Sequence, residues 1–385
     1  MKIGIISELN TNTVNFGNHL QAYALNLYLR RMNPDYQVES LMLPDKEVVK
    51  YTNVLSWSFC KKVIRSLHRR LKERIYGDTE CVWLADNPMV QKRLSEFAEF
   101  RSNYIPKTRK AVPRHDYDVM ITGSDVVWQQ YEHKVRRLQF LDCKGQKAFR
   151  RIAYAASFGS DRIPKENIKT VQAYLKKFDA ISVREHSSVQ MLQEIGIRNT
   201  AYCLDPTLLL EVSDWERLET KPKDFKESEK YLFVYLLGDS KEQREEATAF
   251  ARKAGMKIVA ISYPHGRSDA PEFGDIRMDD CSIENWVWLI HHAQAVITDS
   301  FHGVAFSTIF EIPFYALDRN GSSNYGNRIP DFLREIGQTD KLIPPGGLKS
   351  CENLRWDYSS IRKAIAERKI ASKAFLEKVF EETPQ

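Results

Sequence analysis

Short apolar runs that end in Gly, Ser, Asp or Arg recur along this chain, each followed by polar loop or helical spacing. KIGIIS (2–7) comes first. It leads through the loop ELNTNTVNFGNH into LQAYALNLYLRRM (20–32), whose apolar residues at 20, 24, 25, 27 and 28 line one helical face. YQVESLML (36–43), YDVMITGSD (117–125), RRIAYAASFG (150–159) and FDAISVRE (178–185) read as further strands. SSVQMLQEIG (187–196) is the helix after the last of these, with a glycine as its stop. Apolar runs alternating with helices are the mark of a parallel sheet covered on both faces.

LDPTLLL (204–210) closes this half. The next stretch, EVSDWERLETKPKDFKESEK, is highly charged with one proline, as a linker is. The alternation then restarts at YLFVYLLG (231–238), with a helix over 241–254, strand KIVAIS (257–262), a helix near 283–292, and strands AVIT (295–298) and PFYAL (313–317). The tail from 355, apolar at 361, 365, 370, 374, 375, 379 and 380, predicts a terminal helix or pair that crosses back to the first half. The expected fold is therefore α/β, with two Rossmann-like domains facing across a cleft in the GT-B-like manner. Residues 1–215 form the first, with a basic helical insertion at about 55–105. Residues 228–350 form the second, and 355–385 the tail. A chain of 385 residues is long enough for two cores.

Hydrophobic residues make up 43% of the chain, enough for packed interiors and too many for a disordered protein. No apolar run approaches the ~18 residues that cross a bilayer, and MKIGIISELN meets Glu8 too soon for a signal peptide. The six cysteines, at 60, 81, 143, 203, 281 and 351, are widely spaced, which predicts free thiols in a reducing cytoplasm. His291 and His292 are adjacent, so on a helix they point about 100° apart and are not expected to share a ligand; no metal and no organic cofactor is expected. The net charge of +6 is local. KKVIRSLHRRLKERI (61–75) holds seven Lys/Arg against Glu73 alone, so the rest of the chain sums to zero. That is unlike the broad basic face of a nucleic-acid protein. Val63, Ile64, Leu67, Leu71 and Ile75 share one face of this block. It suits either packing on the first domain or a peripheral contact with an anionic membrane at its inner face.

Ligands of parallel α/β sheets lie beyond the strand C-terminal ends. Here those ends present Asn15-Phe16-Gly17-Asn18, Gly123-Ser124-Asp125, Ser157, Arg184 and Ser300-Phe301-His302-Gly303. His302 stands where a helix starts, with Asp299 or Ser300 as N-cap. Its imidazole can give or take a proton near neutral pH, unless backbone bonds satisfy it. Gly303 and Gly17 lack the Cβ that would keep a ligand from nearby N–H groups. Arg184 ends an apolar strand, where a guanidinium suits a carboxylate or phosphate, or pairs with Glu185, Asp125 or Asp205. Arg319 and Arg328, in DRNGSSNYGNR, either reach the same anion or lie in solvent. Asp125 orients a sugar hydroxyl or caps the next segment, and Trp128 is a platform for a sugar face or part of the core.

Taken in order, NFGNHLQAYAL, DVMITGSDVVW, YAASFG, ISVRE, LDPTLLL and TDSFHGVAFSTIFEIPF resemble the successive motifs of the polysaccharide pyruvyl transferase family, from about residue 3 to residue 330. Val126 stands where glutamine is usual, and Asn18 where alanine is more common. The resemblance implies transfer of a pyruvyl unit from phosphoenolpyruvate, as co-substrate, to two hydroxyls of a sugar, giving a ketal and releasing phosphate. The acceptor would be a polysaccharide or its lipid-linked oligosaccharide precursor. His302 matches the family's general acid and Arg184 its donor-gripping arginine. Ser300, Phe301 and Gly303 would border the donor, with Arg319 or Arg328 completing that site. Gly17, Asn18, Ser124, Asp125 and Trp128 would face the acceptor. Two alternatives differ in class. A glycosyltransferase using a nucleotide sugar would carry a glutamate after IPFYAL, where this chain has Asp318-Arg319 and no glutamate until Glu335. A glycan- or anion-binding homologue would keep the fold without turnover.

Overall fold

The computed structural model describes residues 1–9, 14–42, 49–51, 88–105, 117–131, 133–143, 150–223, 225–226, 230–238, 240–261, 273–278, 280–318, 327–351 and 356–381. Arg319, the basic block at 61–75 and most of the insertion expected at 55–105 lie outside them. Strand β1 (Lys2–Ile6) leads into helix α1 (Phe16–Met32) and strand β2 (Gln37–Leu41). Strand β3 (Val49–Tyr51) and helix α2 (Pro88–Tyr104) come next, followed by β4 (Val119–Thr122), β5 (Lys134–Arg136) and β6 (Arg150–Ala156). Helix α3 (Ile168–Leu175), β7 (Ala180–Val183), α4 (His186–Glu194) and β8 (Thr200–Tyr202) complete the first half. The sheet order is β2-β1-β4-β6-β7-β8, parallel throughout, while β3 and β5 pair apart from it as an antiparallel ribbon.

A short helix α5 (Val212–Glu216) precedes the second half. There β9 (Tyr231–Tyr235), α6 (Lys241–Ala254), β10 (Lys257–Ile261), β11 (Ile276–Met278), α7 (Ile283–His291), β12 (Ala295–Thr298), α8 (Phe301–Ile309), β13 (Phe314–Leu317), α9 (Arg328–Glu335) and β14 (Leu342–Ile343) follow in turn. Their order in the sheet is β11-β10-β9-β12-β13-β14, again parallel. Both halves thus have the doubly wound arrangement the sequence predicts. The short strands β5, β8, β11 and β14 were not legible, because runs of two or three residues carry no measurable periodicity.

In each sheet the strand order reverses once, between β1 and β4 and between β9 and β12. Side chains at the C-terminal ends of such neighbours border a crevice. The two crevices face each other, because one hydrophobic core runs between the sheets. Phe16 of α1 stacks on Trp286 of α7, with centroids 5.6 Å apart, and meets Phe97 of α2 edge-on at 5.1 Å. Trp215 of α5 meets Phe306 of α8 at 4.7 Å. All five of these rings are buried. Helix α10 (Ser359–Glu381) ties the halves together as the tail predicts. Its start packs Ile361 into the interdomain core, and its end packs Leu376, Val379 and Phe380 against Ile3, Ile5 and Val119 of the first sheet. Ile370, on its outer face, is exposed.

Candidate active site

Helix α1 begins four residues before the sequence predicts. Asn15 caps it by accepting a hydrogen bond from Asn18 N–H at 3.2 Å, so Phe16, Gly17, Asn18 and His19 form its first turn and not a loop. Asn18 Nδ2 donates to Glu8 O, which ties the start of α1 to the residues just after β1. The matching junction in the second half is β12–α8. Ser300 is the N-cap, while Asp299 turns away and accepts from the Leu237 and Gly238 N–H groups at 2.7 and 2.8 Å. Asp299 therefore holds the end of β9, and the N–H groups of Phe301, His302 and Gly303 form the first turn of α8.

The glycines do not open either helix to a ligand. A Cβ on Gly17 would lie 2.0 Å from His302 Nδ1, and one on Gly303 would lie 2.4 Å from Thr298 Oγ1. Their missing side chains make room for an imidazole and for the preceding strand. His302 is thus seated against α1 of the other half, and only 6% of it is exposed. Its Nε2 has no hydrogen-bond partner. Asp205 Oδ2 lies 3.6 Å from it.

Asp205 is the residue that sequence reasoning offered only as an ion-pair partner, and it is the hinge of the site. It caps the single 3-10 turn Pro206–Leu209 of LDPTLLL. Oδ1 accepts from Thr207 N–H at 3.0 Å and Thr207 Oγ1 at 2.8 Å. Oδ2 is left for the cleft, where Arg184 Nη1 donates at 2.7 Å and Ser124 Oγ lies 3.2 Å away. Burial alone would raise the pKa of this carboxyl, but His302 and Arg184 outweigh it and hold the group well below the usual carboxylate range. The available signal was Asp-Pro directly after a strand, a helix-cap pattern at a sheet edge.

Arg184 and His302 therefore converge, as expected, but on a carboxylate. Of the two courses open to it, a donor anion or an ion pair with Glu185, Asp125 or Asp205, the Arg184 guanidinium takes the ion pair. Its nitrogens meet Asp205, Asp125 at 3.2 Å and Glu185 at 3.3 Å, and its plane lies over the Phe301 ring, 4.2 Å from the centroid. Burial works against its charge, yet the three carboxylates prevail and raise its pKa. One guanidinium among three carboxylates leaves negative charge in excess, which His302 and Arg328 are placed to offset. Glu185 is itself buried, and burial pushes its pKa up; Arg184, Ser157 and Arg328 oppose this without cancelling it. Arg328, the first residue of α9, is the donor-site candidate that lies near this cluster.

Two acceptor candidates also need correction. Trp128 is fully buried, stacks on Phe140 at 5.3 Å and donates to Gln139 O, so it is a core residue and offers no face to a sugar. Ser124 is fully buried too, 2.8 Å from Ala155 O, with its N–H bonded to Gln21 Oε1. Asp125 faces Arg184 and is 5% exposed. Ser124 and Asp125 contact Asp205 and Arg184, and neither they nor Trp128 line an open surface.

Among the described residues, Cys143, Cys203, Cys281 and Cys351 are free thiols, and no helix is long and apolar enough to cross a membrane. No curated protein matches the chain. Among solved structures it is similar to a putative UDP-N-acetylglucosamine 2-epimerase from Listeria monocytogenes. That match has 12% identity and a TM-score of 0.49, covering 100% of this chain and 98% of that one. A UDP-GlcNAc 2-epimerase from Neisseria meningitidis bound to UDP-GlcNAc gives 10%, 0.45, 99% and 100%. ADP-heptose lps heptosyltransferase II from E. coli gives 12%, 0.35, 97% and 100%. At these values no property of those enzymes transfers to this chain. The family model "Polysaccharide pyruvyl transferase" matches residues 15–321, a span running from the cap of α1 past α8 and β13 and enclosing Asp205, Arg184 and His302. The chain belongs to the polysaccharide pyruvyl transferase family.

Proposed function

We propose that this transferase moves the pyruvyl unit of phosphoenolpyruvate onto two hydroxyls of a sugar in a polysaccharide or its lipid-linked precursor, and that His302 is the acid. The observation that carries this reading is the buried His302 imidazole, whose Nε2 lacks a hydrogen-bond partner and faces an ionised Asp205 at 3.6 Å. That separation is too long for a hydrogen bond. It leaves the nitrogen able to donate elsewhere.

The reaction follows from that pair. The imidazolium gives its proton to the methylene carbon of phosphoenolpyruvate, and C2 becomes electrophilic. A sugar hydroxyl attacks C2 and gives up its proton, which returns to the imidazole. The C2–O bond to phosphate breaks, and the second hydroxyl adds to C2 and passes its proton to the departing phosphate. One proton is added to carbon and one to phosphate, matching the two lost by the hydroxyls. The donor is strongly anionic. The first-turn N–H groups of α8 and the Arg328 guanidinium suit its phosphate and carboxylate, with Arg319 a further candidate. Arg184 is a positioning residue that holds Asp205 in register with His302. On the acceptor side, Asn18 is the candidate that keeps partial exposure.

The test is incubation with phosphoenolpyruvate and a panel of lipid-linked sugar acceptors, followed by mass and by phosphate release. A ketal-sized mass gain with matching phosphate is expected. Replacing His302 with alanine should lower the rate by about 10²–10⁴-fold. Nucleotide release from a sugar nucleotide, with no phosphate from phosphoenolpyruvate, would overturn the reading in favour of a glycosyltransferase.

A further inference from the structure

The adjacent histidines at the end of α7, expected not to share a ligand, converge on one carboxylate. His291 Nδ1 lies 2.9 Å from Glu219 Oε2, and His292 Nε2 lies 3.2 Å from Glu219 Oε1. The cause is local. His291 is the last helical residue, whereas His292 is the C-cap at φ −98° and ψ 6°, so the angular separation of helical neighbours no longer applies.

One ligand atom from each of Glu219, His291 and His292 falls within 4.8 Å of the others. A tetrahedral zinc with bonds of about 2.0–2.1 Å needs ligand atoms about 3.3 Å apart. Both histidine–carboxylate spacings, 2.9 and 3.2 Å, are already close to that value. The rings are fixed from behind, since His291 stacks on Phe310 at 4.2 Å and His292 on Trp288 at 4.3 Å. Glu219 is fixed as well. Its N–H donates to Trp215 O, and that of Thr220 donates to Glu284 O. A donor set held this firmly loses little freedom on binding.

We propose that Glu219, His291 and His292 bind one divalent transition metal of the zinc class, with water in the fourth position on the exposed side of His292. Two imidazoles and one carboxylate suit such an ion, whereas calcium and magnesium take oxygen ligands. Binding requires the two facing nitrogens to be bare, so the ring protons reside on His291 Nε2 and His292 Nδ1. The metal joins the segment between the two sheets to α7. It lies by Phe310, at the opposite end of α8 from His302, so its role is to staple the fold and not to take part in transfer.

The test is calorimetric titration of zinc chloride into the tag-free, full-length chain after chelator treatment and desalting. Saturable binding of one zinc per chain is expected, with a raised unfolding temperature and no response to magnesium. Glu219→Gln and His292→Ala should each weaken zinc binding about tenfold or more, since even indirect supports of a metal cost that much. Both should leave the metal-free unfolding temperature close to that of the unaltered chain. Should Glu219→Gln fold poorly, His292→Ala, at an exposed position, carries the comparison alone. Absence of saturable binding, or zinc affinity unchanged by the substitutions, overturns the proposal.

Discussion

Gly17 and His302 touch across the two halves of the molecule, with the imidazole Nδ1 only 2.0 Å from where a side chain on Gly17 would begin. The first turn of α1 and the first turn of α8 are thereby in direct contact at the mouths of two sheets. Neither sheet alone holds His302 in place. Its ring is seated by α1, faces Asp205 from the 3-10 turn, and rides on the helix that leaves β12.

Gly17→Ala should therefore displace the imidazole. We expect a loss of about 1–3 kcal/mol in stability from overpacking, and a fall in turnover of about 10²-fold, the scale of a misplaced catalytic group. The check is a double-mutant cycle. In a His302→Ala background the stability cost of Gly17→Ala should largely vanish, and an undiminished cost would show that the contact is not the cause.

Asp205→Asn tests the buried ion cluster. Removing one partner from a buried pair costs roughly 3–5 kcal/mol, and urea unfolding at pH 7 should show a loss of that order. The sign with pH follows from the depressed pKa of this carboxyl. Its contribution is present above the unfolded value of about 3.9 and is lost as pH falls through the folded one. The gap between the two proteins should therefore close below about pH 4. A gap that stays constant to pH 3 would remove Asp205 from the charge network.

His19 behaves in the opposite way to a paired histidine. It is fully buried in α1, with Nδ1 3.0 Å from Asn15 O and Nε2 2.9 Å from Arg101 Nη1, and burial brings its pKa down to about 3. The folded protein holds it neutral while the unfolded chain protonates near pH 6.5, so stability falls as pH drops from about 6.5 toward 3. The share from this one group is roughly 1.4 kcal/mol per pH unit well below pH 6.5. His19→Gln should flatten the unfolding free energy between pH 6 and pH 4 by that amount. An identical slope in both proteins would mean that other groups carry the acid sensitivity.

Trp128 separates core from binding face. With the ring stacked on Phe140 and its N–H bonded to Gln139 O, Trp128→Phe should lower the unfolding temperature and leave acceptor KM unchanged. A rise in KM with unaltered stability would return Trp128 to the acceptor side.

Much of this architecture was legible beforehand. Helix α6 over 241–254 and strand β12 over 295–298 coincide with the expected bounds, because long periodic helices and runs such as AVIT are decided by local spacing and burial. The tail's return was legible in the same way, from apolar residues at 361, 379 and 380. The start of α1 was misjudged because its first turn, Phe16-Gly17-Asn18-His19, shows no apolar stripe, and the cap at Asn15 is a matter of backbone geometry. At the site, His302 and Arg184 stand out from the sequence as polar groups at the ends of apolar strands, and Glu185, Asp125 and Asp205 as possible partners of Arg184, but not that Arg184 meets all three at once or that Asp205 also faces His302.

The sequence by itself determined where strands end and helices begin, and hence that charged groups gather at two sheet edges, because hydrophobic period and capping act over a few residues. Only the tertiary structure decided that Arg184 is neutralised by three carboxylates, that Asp205 faces His302, and that Gly17 makes room for it. Apart from the Arg184–Glu185 contact between neighbours, those relationships join residues from 21 positions apart, Arg184 and Asp205, up to the far wider separation of Gly17 and His302. Their strength depends on burial and on distances that exist only once the two halves have closed on one core.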